Sequence, residues 1–276
     1  MIDAVWLALR GAAFVLLLEA AGRVLFQLTC VEARAAGARD SAFPILAALL
    51  VLLAQAPAEP AHLAGAWQGS TEAPLWRLTL STPAALTWLV RLTGVLCLLR
   101  GRGRWGFWGL AGSAFILSSF AISGHTVAHA PRAWLGALVV AHVTLAAFWL
   151  GSLASLDALA RQLDAPSLLP VLRAFSRRAL PLVLLLPLAG ATLAAALLPG
   201  FAALGAPYGG LLCTKAALLA LALVLAALNR QRYVPALARG EYAALVALRR
   251  SVRAEYVLLL GIIVASAALT GLFAPD

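Results

Sequence analysis

The stretch LLCTKAALLALALVLAALNRQR, residues 211–232, decides the fold. Apart from Lys215 it is apolar or weakly polar until Asn229, where two arginines stop it. With the residues just before it, the run is about 20 residues long, enough to cross a hydrocarbon core. It has no strand-like alternation, and a chain in lipid must satisfy its own backbone polar groups, so it reads as a helix. Outward from it the same pattern recurs. Eight apolar runs can be drawn, at 4–29, 42–57, 79–99, 105–124, 134–157, 174–198, 208–229 and 253–273. The expected fold class is all-α: a polytopic membrane helix bundle of about eight transmembrane helices.

Arginine placement sets the orientation. The first gap between runs holds Arg34 and Arg39, and the third holds Arg100, Arg102 and Arg104. The fifth holds Arg161, Arg173, Arg177 and Arg178; the seventh holds Arg230, Arg232, Arg239, Arg249, Arg250 and Arg253. The intervening gaps hold only Arg77 and Arg132, a split of 15 to 2. Basic residues stay cytoplasmic during insertion, so both termini are expected outside.

Composition agrees. The chain is 63% hydrophobic and 12% charged, against about 25% charged for a soluble domain. Its net charge of +10 sits in loops that meet anionic lipid headgroups. Membrane lipid is therefore the expected partner, and no nucleic acid is implied. The first run lacks a basic leader and carries Arg10, Glu19 and Arg23, so it reads as a retained span rather than a removable signal. Residues 1–276 read as a single transmembrane domain. Three cysteines make no disulfide framework. Cys30 and Cys97 are placed near the cytoplasmic face, and Cys213 near the outer one. The longest outer loop is drawn at 57–77, with Trp67 and Trp76 expected at headgroup level. Pro181, Pro187 and Gly190 are expected to bend the sixth span.

All four histidines, His62, His125, His129 and His142, fall on the outer side of this topology. Three bracket one hairpin, SGHTVAHAPRAWLGALVVAHVTLAAFWLG at 123–151. His125 and His129 share a face if their turn is helical. His142 lies about nine residues into its span, ~13 Å down. Imidazole binds copper, zinc, nickel and iron well, and an ionisable residue within a span is a functional candidate by default. His62 and His129, in outer loops, read more simply as solvated side chains.

Other polar residues inside the spans form a second constellation. Glu19 and Arg23 are an i,i+4 pair able to neutralise each other. Glu19 and Arg91 lie at similar depth and are a candidate pair across helices. Arg10 has no evident partner and is expected to snorkel outward. Lys215 is the only lysine. Glu255 lies near the basic cytoplasmic edge, with Arg230 a candidate partner and Asn229 beside it. Absences matter too. The chain has no Walker sequence, no C-x-x-C, no H-E-x-x-H and no G-x-S-x-G, so nothing supports an ATPase, a zinc peptidase or a lipase. The expectation is a protein that is not an enzyme. Met1 is the only methionine, which leaves a thioether copper relay without ligands.

Read together, several segments resemble the copper-resistance protein D (CopD) family of bacterial inner-membrane proteins. They are SGH at 123–125, AHVTLAAFWLG at 141–151, FSRRAL at 175–180, GAPYGGLLCTKAALLALALVLAALNR at 205–230 and RRSVRAEYVLLLGIIV at 249–264. The resemblance is close over 125–276 and looser over 1–124, where TPAALTWLVRL at 82–92 carries it. It implies copper movement across the inner membrane, beside a periplasmic copper carrier of the CopC type. The family's histidine after glycine maps to His125, and its histidine seven residues before Trp-x-Gly maps to His142. Its lysine and Asn-Arg pair map to Lys215, Asn229 and Arg230, and its last acidic residue to Glu255.

The leading reading is therefore a copper importer without its own ATPase. Copper ion would meet His62 or His129 at the rim, pass His125 and His142, and leave by Cys30 and Cys97, whose thiolates are soft ligands. The alternative from another class is a b-type haem or redox membrane protein. It would use histidine axial ligands and a porphyrin packed by Phe120, Trp134, Phe148 and Trp149. A third reading is an assembly or scaffold protein with no transported ligand.

Overall fold

The computed structural model describes residues 1–37, 41–102, 106–122, 131–197 and 207–272, and among them the only regular elements are helices. In chain order these are α1 (Ile2–Thr29), α2 (Val31–Ala35), α3 (Ala42–Leu63), α4 (Ala73–Leu80), α5 (Pro83–Arg100) and α6 (Phe107–Ser118). They continue as α7 (Arg132–Gln162), α8 (Ala165–Leu197), α9 (Pro207–Leu228), α10 (Val234–Ala238) and α11 (Tyr242–Leu272). A π-helical turn, Asn229–Tyr233, joins α9 to α10. This is the all-α polytopic bundle expected from the apolar runs.

Seven of the described helices are long and apolar enough to cross a membrane: α1, α3, α5, α7, α8, α9 with its continuation to Ala238, and α11. The eighth expected span, 105–124, is shorter. It consists of α6 and a 3-10 turn at Ser119–Ala121. Serine shapes that end: Ser118 donates to the Phe115 carbonyl at 3.1 Å and Ser119 to the Ile116 carbonyl at 2.6 Å. Such back-bonding competes with the regular helical ladder.

Several helices outrun the apolar segments that announced them. α8 begins at Ala165 rather than 174, and α11 at Tyr242 rather than 253. Arginine is a good helix former, so these basic ends remain helical beyond the apolar core. α3 continues through Pro57 and Pro60 to Leu63. The expected outer loop at 57–77 is thus partly helix, and it also contains a 3-10 turn at Trp67–Thr71 and the start of α4. Trp76 donates its indole N–H to the Ser70 carbonyl at 2.7 Å, pinning this segment, while Trp67 is exposed. α8 runs on as one helix through Pro170, Pro181 and Pro187.

The two chain ends meet at one end of the bundle. Arg10 donates to the Thr270 hydroxyl at 3.3 Å, and the Trp6 ring lies against Gly271. At the other end, Arg178 pairs with Glu32 at 3.0 Å and Arg253 with Asp157 at 2.8 Å. This agrees with an even number of passes in which α6 makes the short one.

α1 is the central helix, packed on α3, α6, α7 and α11. Leu17, Leu18, Ala21, Val24 and Phe26 of α1 are buried, and α7 is buried throughout Ala147–Leu156. Lipid offers no hydrophobic drive between helices, so close packing through small residues substitutes for it. A side chain at Gly22 would collide with the Ala147 carbonyl, and one at Gly151 with the backbone of Gly22 and Arg23. Gly94 of α5 and Gly112 of α6 touch in the same way.

Substitution separates these contacts from ordinary glycines. Gly22→Val or Gly151→Val should cost more than the ~1–3 kcal/mol of ordinary overpacking, because backbone must move. Gly11→Ala, with nothing within 4 Å of the added carbon, should leave thermal stability in detergent unchanged or slightly raised. Melting curves of the three purified variants check this.

Candidate functional site

Two polar regions lie within the bundle, one toward each end. On the outer half, His142 sits a third of the way along α7 and faces α8. Gly190 leaves room for its ring, since a side-chain carbon there would lie 3.1 Å from the ring carbon Cε1. The Leu186 carbonyl and the charge of Lys215 both bear on the imidazole. Its Nδ1 is buried and has no hydrogen-bond partner. Buried polar atoms are normally satisfied, and this nitrogen is an exception. His125 and His129 lie outside the described residues. Among the described residues, no three His, Cys, Asp or Glu side chains gather into a metal site.

His62 differs from its expectation as a solvated loop residue. It belongs to the last turn of α3, stacks on Trp6 with centroids 4.3 Å apart, and directs Nδ1 to Asp3 at 2.8 Å. The longer α3 is the reason, since it carries His62 onto the start of α1. The Asp3 carboxylate engages Nδ1, and a carboxylate on one imidazole nitrogen fixes the orientation of the other.

The remaining charges find partners that sequence depth did not predict. Arg23 does pair with Glu19, its Nε at 2.8 Å. Arg91, however, does not pair with Glu19. It donates to Ser119 at 3.1 Å and lies over the rings of Phe14 and Phe120, at 5.3 and 4.9 Å. Glu59 is the carboxylate whose charge bears on both Arg91 and Arg10. Arg10 reaches Thr270 near the end of α11 and lies over the rings of Trp6 and Phe14. Glu19 receives its third bond from the Tyr256 hydroxyl at 2.6 Å.

Glu255 is 2% exposed and is not partnered by Arg230. Trp149 of α7 donates to one carboxylate oxygen at 2.6 Å, and Asn229 of the π-helical turn donates to the other at 3.0 Å. Arg230 instead donates to the carbonyl and hydroxyl of Ser176 on α8, at 2.7 and 3.0 Å. The helix widening at Asn229–Tyr233 accompanies this divergence, Asn229 bonding toward α11 and Arg230 toward α8. Such π-helical insertions recur at functional positions. Trp149 and Tyr256 are the residues sequence reasoning missed in these roles; Trp149 had been read only as an aromatic for porphyrin. Of the other aromatics of that reading, Phe148 packs against Phe175 and Phe120 against Phe14, while Trp134 is exposed.

A cavity of about 200 Å³ opens on the inner side, lined by Arg23, Ala154, Asp157, Arg161, Arg253 and Tyr256. Asp157 bridges two of its arginines, Arg161 at 2.5 Å and Arg253 at 2.8 Å. Beyond α1, burial pushes the Cys30 thiol up; the Ala33 amide opposes the shift and the Glu32 charge adds to it. Glu32 itself is held low by its own backbone amide and by Arg178. Cys30 therefore remains a thiol at neutral pH, with its Sγ 3.7 Å from Glu32, and must lose a proton before it can bind a soft metal.

Two measurements follow. Tyr256→Phe removes the hydroxyl from a buried carboxylate and should cost about 1.5–3 kcal/mol in stability, read from unfolding in detergent. Alkylation of Cys30 by a maleimide should accelerate only above the ordinary thiol range of pH. Arg178→Ala removes a charge that favours the thiolate, so it should slow that reaction further.

With the geometry described, comparison with known proteins identifies the chain's relationships. No curated protein and no solved structure matches it significantly. Residues 169–269, from the first turns of α8 to near the end of α11, match the family model described as copper resistance protein D. Over that region the chain is similar to the copper resistance protein D family.

Proposed function

We propose that this chain moves copper inward across the bacterial inner membrane through a histidine site near the periplasmic side. The observation that carries the site is the buried, unpartnered Nδ1 of His142, held between α7 and α8. The family match supplies the cargo, and the multi-pass bundle supplies the path. His125 and His129, a few residues before α7, are the further imidazole ligands. His62, at the rim and oriented by Asp3, is the capture residue, where a CopC-type periplasmic carrier would deliver the ion. The protein's role is transport, and no chemical reaction is assigned to it.

Physical chemistry makes such a site workable without nucleotide. A cation moving inward gains ~2.3 kcal/mol per charge per 100 mV of membrane potential. Lys215 opposes tight retention, because its charge bears on His142 and disfavours a second cation there. A site that binds through imidazole yet is destabilised by a nearby ammonium favours release over storage. Cys30 and Cys97 remain the soft ligands offered toward the cytoplasmic end.

Metal titration and vesicle uptake test the proposal. His142→Ala should abolish high-affinity copper binding while the protein stays folded, since one truncated side chain costs only about 2–5 kcal/mol. Lys215→Met should tighten binding, about tenfold for each 1.4 kcal/mol of repulsion removed. His62→Ala should slow uptake at low copper with little change in equilibrium affinity. Parental affinity in His142→Ala would exclude the site. Unchanged vesicle copper with the parental protein would exclude transport. An absorbance spectrum of the same preparation shows whether haem b is present.

A further inference from the structure

Glu255 is the one buried carboxylate in the described bundle whose hydrogen bonds come only from neutral groups. Glu19, the other buried acid, is paired with Arg23. Taking a charge out of water costs several kcal/mol unless an opposite charge or a proton compensates it, and among the described residues Glu255 has no ion pair. Charged groups stand on every helix around it but are engaged elsewhere. On α1, Glu19 and Arg23 bond each other and Tyr256. On α7, Asp157 holds Arg161 and Arg253, and His142 faces α8. Lys215 of α9 bears on His142, and Arg230 of the π-helical turn is bound to Ser176. Arg232 and Tyr233 on that turn, and Arg249 and Arg250 on α11, make no hydrogen bond to Glu255; Arg249 bonds the Ala160 carbonyl.

The partner of Glu255 suits a group that changes protonation state. Trp149 can only donate. Asn229 carries both a donor and an acceptor, and its Oδ1 is buried without a hydrogen-bond partner. As drawn, the amide nitrogen serves an ionised carboxylate. Rotated by half a turn, the same amide offers Oδ1 to a carboxyl O–H, and the orphaned oxygen is satisfied. Tyr256, the next residue on α11, lines the inner cavity, whereas Glu255 itself is enclosed by the bundle. We propose that Glu255, held by Trp149 and Asn229, is a proton-binding site, and that its proton is exchanged during transport. Proton binding stands independently. Its coupling to cargo rests on the copper-transport reading.

Infrared spectroscopy on the full chain in lipid nanodiscs tests the first part. The parental protein should show a protonated-carboxyl C=O band that titrates with pH and is absent in Glu255→Gln. Trp149→Phe and Asn229→Leu should each shift its frequency, which assigns the band even if the glutamine variant is poorly folded. A parental protein with no titrating carboxyl band, or a band unchanged across all three variants, overturns the proposal. The second part is read in vesicles loaded with a pH dye. Copper entry should respond to an imposed pH gradient in the parental protein and lose that response in Glu255→Gln. An unchanged response in the variant overturns coupling. Absence of any copper entry by the parental protein instead removes the transport reading, and the infrared titration still decides proton binding.

Discussion

Where α1 crosses α7, the backbones at Gly22 and Gly151 touch, and neither position has room for a side chain. A membrane bundle cannot rely on water to press its helices together, so close backbone approach supplies the dispersion contacts instead. The rest of the interior is placed by this crossing. Glu19 and Arg23 flank Gly22 on α1, and Trp149 lies two residues before Gly151 on α7. Glu19 and Trp149 face α11, where the Tyr256 hydroxyl donates to Glu19 and Glu255 accepts from Trp149. Widening the crossing by one methyl group would displace the donors and acceptors of both buried carboxylates together.

The bundle resolves the cost of buried charge in two different ways. Glu19 and Arg23 neutralise each other within one helix. Arg91 and Glu255 do not use a directly bonded opposite charge. Arg91 rests on two aromatic faces and a hydroxyl, and Glu255 accepts from an indole and an amide. Cation–π contacts of this kind are worth ~2 kcal/mol when desolvated, enough to offset part of the insertion cost of an arginine. A carboxylate held by neutral donors has no comparable counter-charge, so its environment stays sensitive to a proton. Glu255 thus differs from Glu19 in how its charge is compensated, although the two lie on neighbouring helices.

The region matching the copper resistance protein D family runs from 169 to 269, yet the sites draw on helices outside it. Lys215, Asn229 and Glu255 lie inside the match, whereas His142 and Trp149 belong to α7 and Glu19 to α1. The Asn229–Glu255 and Arg230–Ser176 bonds lie within the matched segment, whereas Glu255 takes its second bond from Trp149 of α7 and Tyr256 gives its bond to Glu19 of α1.

Much of this protein was determined by its sequence alone. Apolar runs near the membrane thickness specify helices because lipid cannot hydrogen-bond backbone, and arginine in alternate gaps specifies their direction. The Glu19–Arg23 pair was legible because helical spacing puts residues four apart on one face. Tertiary structure alone decided the long-range partners. Depth along a helix is readable from sequence, but rotation about its axis is not, and rotation chooses between partners of equal depth. That is why Arg91 met Ser119 and two phenylalanines rather than Glu19. It is also why Glu255 met Trp149 and Asn229 rather than Arg230, which the π-helical turn directs toward α8. His62 follows the same logic: the apolar run ends near 57, while α3 continues to Leu63 and sets the imidazole against Trp6 and Asp3.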